Sequence, residues 1–170
     1  MTNASNSAIA YHPWTTYAAA REEARIRGDR RVGTDHLLLG LLRDSEIEEV
    51  LHVSLESTRE ALNALDRAAL ASIGVIAAFK ASPSAERALP KRPTAKELWK
   101  VRDRLRLTPA AKTALQEAGR PMRRGKQITA QKVLLALMEN RPPDPVETLF
   151  GTLGVDVAAV RKRLGDRPAG

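Results

Sequence analysis

The sequence predicts an all-α fold: two pseudo-symmetric four-helix repeats forming one globular domain, with an expanded basic middle segment. Three observations carry this expectation. Hydrophobic residues make up 43% of the chain but aromatic residues only 4%. The core is therefore built from Ala, Leu, Val and Ile, which suits packed helices better than a sheet rich in aromatic and β-branched side chains. Apolar residues recur at helical spacing behind good N-caps, and no alternating strand pattern of useful length is visible. Finally, the first and last parts of the chain repeat one order of caps, leucines and glycines.

The first helix spans Trp14 to Arg27, with Pro13 at its start and Gly28 placed to stop it. Residues Asp29 to Gly33 read as a short polar connection. Thr34 is the expected N-cap of a helix to Arg43, with Leu37, Leu38, Leu41 and Leu42 on its core face. Ser45-Glu46-Ile47-Glu48 has capping-box spacing and opens a short helix to about His52. Ser54 caps a longer one through Leu62, Leu65 and Leu70, ending near Gly74. Residues 81–94 hold Pro83, Pro90 and Pro93 and read as a loop. Thr94 to Glu97 is a further capping box, opening a helix with Leu98, Val101 and Leu105 on one side. Thr108-Pro109 starts another, to about Gly119. Thr129 caps a helix through Val133, Leu134, Leu137 and Met138, ended by Pro142, Pro143 and Pro145. A short helix around Val146 to Leu153 and a last one capped by Asp156 complete the chain.

The two halves align. Residues 33–42 match 129–138 at an offset of 96, and Val53 to Arg59 match Val155 to Arg161 at an offset of 102. Each half reads as a helix, a turn, a capped helix, a short helix and a capped helix. Each buries against the other an apolar face that it cannot bury alone.

The residues that carry this repeat resemble a known family. Ala20-Arg21-Glu22-Glu23-Ala24, a turn, and Val32-Gly33-Thr34-Asp35-His36-Leu37-Leu38-Leu39-Gly40-Leu41-Leu42 resemble the first repeat of the Clp N-terminal (Clp R) domain. Leu107 to Lys112 and Leu153-Gly154-Val155-Asp156 resemble the second. The resemblance divides the chain into a flexible N-terminus (1–13), repeat 1 (14–71), a basic linker (72–106), repeat 2 (107–165) and a tail (166–170). No ATPase module accompanies it, so the chain looks like a free-standing Clp N domain, similar to that of ClpC-type unfoldases.

The resemblance implies docking rather than chemistry. Its partners would be Clp unfoldase or protease components, or their protein substrates, with phosphoarginine-bearing proteins or cyclic peptides as possible ligands. Its role would be that of an adaptor, decoy or sequestering factor. In ClpC-type members a carboxylate of the Gly-Thr-Glu-His motif faces the guanidinium, beside helix N-terminal amides suited to a phosphate. Carried over, the ligand residues are Thr34 and Asp35, the aspartate being one methylene shorter than the family's glutamate. Repeat 2 has Ala130 and Gln131 there instead and is not expected to bind phosphoarginine. Plain helix capping explains Thr34 and Asp35 equally well without a ligand. His36 reads as a partly buried structural residue, since a metal site needs partners the sequence does not supply.

Composition narrows the remaining choices. At 170 residues the chain buries roughly 70% of its unfolded surface and needs no disulfide or metal to hold a core. With no cysteine, it has no disulfide framework, thiolate nucleophile, thiolate zinc site or iron–sulfur cluster. No cofactor, metal or membrane span is expected, and a cytoplasmic location fits. Enzyme motifs fail: between Gly119 and Lys126 the spacing departs from a phosphate loop, and Gln127 stands where Ser or Thr should bind magnesium. No Gly-x-Ser-x-Gly elbow or paired-histidine helix is present.

The net charge of +8 is concentrated in one region. Residues 1–79 carry net −3, residues 80–130 net +10 and residues 131–170 net +1. The basic block contains Lys96, Lys100, Arg102, Arg104 and Arg106, with Trp99 among them as a potential stacking group. It supports an alternative function, nucleic-acid binding, against the plainer reading of a solvated surface.

Overall fold

A computed structural model describes residues 13–74, 105–119 and 129–166. The first four helices are α1 (Pro13–Arg27), α2 (Thr34–Leu41), α3 (Ser45–Leu51) and α4 (Leu55–Ser72). The second four are α5 (Pro109–Gly119), α6 (Ala130–Met138), α7 (Pro145–Thr152) and α8 (Val157–Asp166). The fold is all-α in class, and both halves run through the helix order expected of the repeats. The helix expected over residues 94–106 lies largely outside the described residues.

The caps explain where most helices begin. Ser54 accepts from the Ser57 N–H at 3.1 Å, and Thr129 from Lys132 at 3.3 Å. Thr108 accepts from Ala111 at 3.2 Å and Asp156 from Ala159 at 3.0 Å, as their spacing predicts. Two starts differ from the sequence expectation. Gly33, not Thr34, is the N-cap of α2, and Thr34 is already helical. The N–H of Gly33 is instead taken up by His36 Nδ1 at 3.1 Å, so the histidine plays the back-reaching part of a capping box. At α3 the cap is Asp44, one residue earlier than Ser45, and its carboxylate accepts from Glu46 N at 3.1 Å. A carboxylate displaces a hydroxyl there because it also complements the helix dipole. Gly28, Gly74 and the turn at Gly154 take positive φ, where glycine avoids the strain of a side chain.

One element was not expected. Within the predicted connection, Arg31–Val32 forms strand β1, which pairs in parallel with β2, Arg106–Leu107. The pairing continues as Thr108 N–H donates to Val32 O at 2.9 Å, and the Tyr17 hydroxyl donates to Leu105 O at 2.8 Å. These bonds fasten the start of the second half to the first.

The core lies where both halves meet. Leu37, Leu38, Leu41, Val133, Leu134 and Leu137, predicted to be buried, are all sequestered, with Leu42, Ile47, Val146 and Leu149. Burying each such side chain contributes roughly 1.5–3 kcal/mol. Gly40 allows α1 to cross α2 closely: a Cβ there would stand 2.7 Å from Thr16 O and 2.8 Å from Ala20 N. Polar ties surround the core. Glu23 on α1 is buried and accepts from Arg43 (2.6 Å) and doubly from Arg59 on α4 (3.0 and 2.8 Å). Burial alone would raise its pKa, but the two guanidinium groups outweigh this and lower it. On α8, Arg161 donates to Met138 O (2.7 Å) and Arg163 to Val50 O (3.3 Å), satisfying carbonyls at the C-termini of α6 and α3.

Candidate functional site

The α2 N-terminus, where the sequence places Thr34 and Asp35, sits on the seam between the halves. Thr34 is buried, and its hydroxyl donates to Asp144 Oδ1 at 2.6 Å. The same oxygen caps α7 by accepting from Val146 N at 3.0 Å. The start of α2 and the start of α7 therefore share one carboxylate. A phosphate seated here would meet the charge of Asp144 beside the amides that otherwise favour it.

Asp35 is held from its own helix. Its Oδ1 lies 3.1 Å from His36 Nδ1. Burial pushes its pKa up, but contacts with the His36 ring and N–H and the charge of Arg27 outweigh burial and lower it. His36 is itself buried, and its Nε2 lies 3.0 Å from Asp29 Oδ2. Burial would depress the histidine, yet Asp35 and Asp29 together raise it. The two contacts at Nδ1 exclude one another. A neutral ring with its proton on Nε2 accepts from Gly33 N–H and donates to Asp29. A charged ring turns an Nδ1 proton toward Asp35.

The equivalent end of repeat 2 is also engaged across the seam. Gln131 Nε2 donates to Glu46 Oε1, at the start of α3, at 2.9 Å. The two halves thus exchange reciprocal contacts: α2 reaches the cap of α7, and α6 reaches the first turn of α3. Sequence reasoning missed Asp144 and Glu46. Asp144 had a readable signal, a capping residue directly before Pro145 at the first helical position. Its reach across the seam to Thr34 had none, because nothing local marks a contact 110 residues apart.

Of the basic residues singled out in the sequence, Arg106 is exposed in β2. Lys96, Lys100, Arg102 and Arg104 lie outside the described residues. Among the described residues no group of three or more His, Asp or Glu side chains is arranged to hold a metal ion. No helix among them is long and apolar enough to cross a membrane.

What the arrangement offers chemically is a hydrogen-bonded seam between two helical repeats, with its polar groups engaged in holding the halves together. Comparison with known proteins agrees with this architecture. No curated protein matches the chain significantly. The family model described as the Clp repeat (R) N-terminal domain does match, over residues 14–144, from α1 to the cap of α7. That span is well over half of the chain and takes in both helix N-termini that meet the seam, so the protein belongs to the Clp N-terminal repeat domain family, an interaction module of the Clp system.

Proposed function

We propose that the protein is a non-catalytic docking module that modulates Clp proteolysis by binding Clp unfoldase or protease components, or their substrates. The observation that carries this reading is the family match over residues 14–144 on a two-repeat helical scaffold. An adaptor, a decoy and a sequestering factor all need only a binding surface.

The same reading assigns no phosphoarginine binding to the Thr34–Asp35 motif. Thr34 donates its hydroxyl to Asp144, and the carboxylate of Asp35 is turned to His36. A phosphate at the α2 N-terminus would have to displace Asp144 or sit beside its charge, which opposes the attraction of the helix N-terminus.

Two measurements test the proposal. Immobilised protein is expected to retain purified Clp components or their substrates under conditions where a ClpC-type N domain does so; retention of neither removes the proposal. Calorimetry with free phosphoarginine is expected to show no binding. A stoichiometry of one that is abolished by Asp35→Ala would restore the motif as a receptor, and a stoichiometry of two would restore both repeats.

A further inference from the structure

The ladder between β1 and β2 places Arg31 opposite Arg106, and Val32 opposite Leu107. Register partners project to the same face of a sheet, and the next pair projects to the other. Burial follows this alternation: Val32 is sequestered and Leu107 half-buried, whereas Arg31 and Arg106 are exposed. Adjacent strands lie about 4.8 Å apart, so the two arginines leave the surface side by side. Arg30, also exposed, directly precedes them.

Nothing described nearby offsets these charges. Among the described residues, no ion pair or side-chain hydrogen bond engages Arg30, Arg31 or Arg106. The adjacent carboxylate, Asp29, is turned to His36 and Arg27. Like charges facing one another weaken a ladder, and this ladder has only two residues per strand. The arrangement thus gives up stability within the chain and gains it back when an anion lies across both guanidinium groups. The planar fork of arginine matches phosphate oxygens geometrically. In sequence, residues 80–130, which include Arg106 and run into and beyond β2, carry a net charge of +10. A basic composition of that size suits a long polyanion rather than a single acidic side chain.

We propose that the ladder face carrying Arg30, Arg31 and Arg106 binds the phosphate backbone of nucleic acid. It takes the backbone without reading sequence, because phosphate contacts position a ligand but do not discriminate bases. This binding is separate from docking to Clp partners, and neither requires the other.

The test is a fluorescence-anisotropy titration of the full chain with a labelled mixed-sequence DNA duplex of about 20 base pairs, at about 50 and about 200 mM salt. Binding is expected at the lower salt, weakening at least about tenfold at the higher. Arg31→Gln with Arg106→Gln should lower affinity about tenfold and make the salt dependence shallower by about two phosphate contacts. Arg31→Lys with Arg106→Lys should keep affinity within a few-fold, and Arg67→Gln, at an exposed position of α4, should change nothing. Circular dichroism checks folding, and each single glutamine variant repeats the comparison if the double one melts. No binding at low salt, or unchanged affinity in the glutamine variants, would overturn the proposal. Loss of binding in the lysine variant as complete as in the glutamine variant would also overturn it, since positive charge on this face would then not suffice to hold a phosphate backbone. Polyglutamate displacing the duplex with equal potency at equal charge would reassign the face to acidic protein segments.

Discussion

His36 shows how much one buried side chain settles at the start of α2. It lies between Asp29 and Asp35, which raise its pKa despite burial. A group raised on folding stabilises the protein fully below its unfolded value, near 6.5, and loses that contribution as pH rises through the folded value. Asp35 and Glu23 are lowered on folding, so their contributions hold at neutral pH and vanish on acidification. Thermal melts between about pH 6 and 9 should therefore show stability falling with pH, and His36→Gln should flatten that fall. Parallel profiles for the two proteins would remove His36 as the titrating group. The sequence supported a structural histidine and flagged Thr34 and Asp35. It did not show that Thr34 faces Asp144, because a hydroxyl at a helix start has the same local signature whether it caps its own helix or bonds to a distant one.

At the scale of elements, the helices were legible because caps and apolar spacing are local. Ser54, Thr108, Thr129 and Asp156 cap where the sequence places them. The β1–β2 ladder was not legible, since a two-residue strand has too few residues to display a period of two. The closeness of α1 and α2 was likewise hidden in a single glycine. Gly40→Ala would gain up to about 1 kcal/mol of helix propensity if the site were open. Here the added Cβ meets backbone atoms of Thr16 and Ala20 well inside contact distance, and backbone cannot rotate away as a side-chain end can. Overpacking of this kind costs about 1–3 kcal/mol, so the net effect should be destabilising. A urea midpoint at or above that of the unsubstituted protein would mean the two helices separate at little cost.

Across the whole molecule, each half completes the other. Leucines of α2 and α6 enter one continuous core, Thr34 and Gln131 bond across the seam, and Arg163 of α8 satisfies a carbonyl of α3. The ladder adds a backbone connection between the halves. A molecule joined in this way should unfold as one cooperative unit rather than as two repeats in sequence. Leu38 and Leu134 occupy matching positions in the two halves and are both fully buried. Leu38→Ala and Leu134→Ala should each cost about 2–5 kcal/mol. Although one lies in each repeat, both should shift the same denaturant transition and leave its slope unchanged. The measurement is urea unfolding followed in parallel by circular dichroism and by hydrogen exchange of amides in both halves. If Leu38→Ala lowered the midpoint for amides of α1–α4 alone and left those of α5–α8 in place, the repeats would be independent domains and the seam contacts would be incidental. One shared shift would make the seam a structural requirement, and would explain why the polar groups at the starts of α2 and α6 serve assembly of the fold.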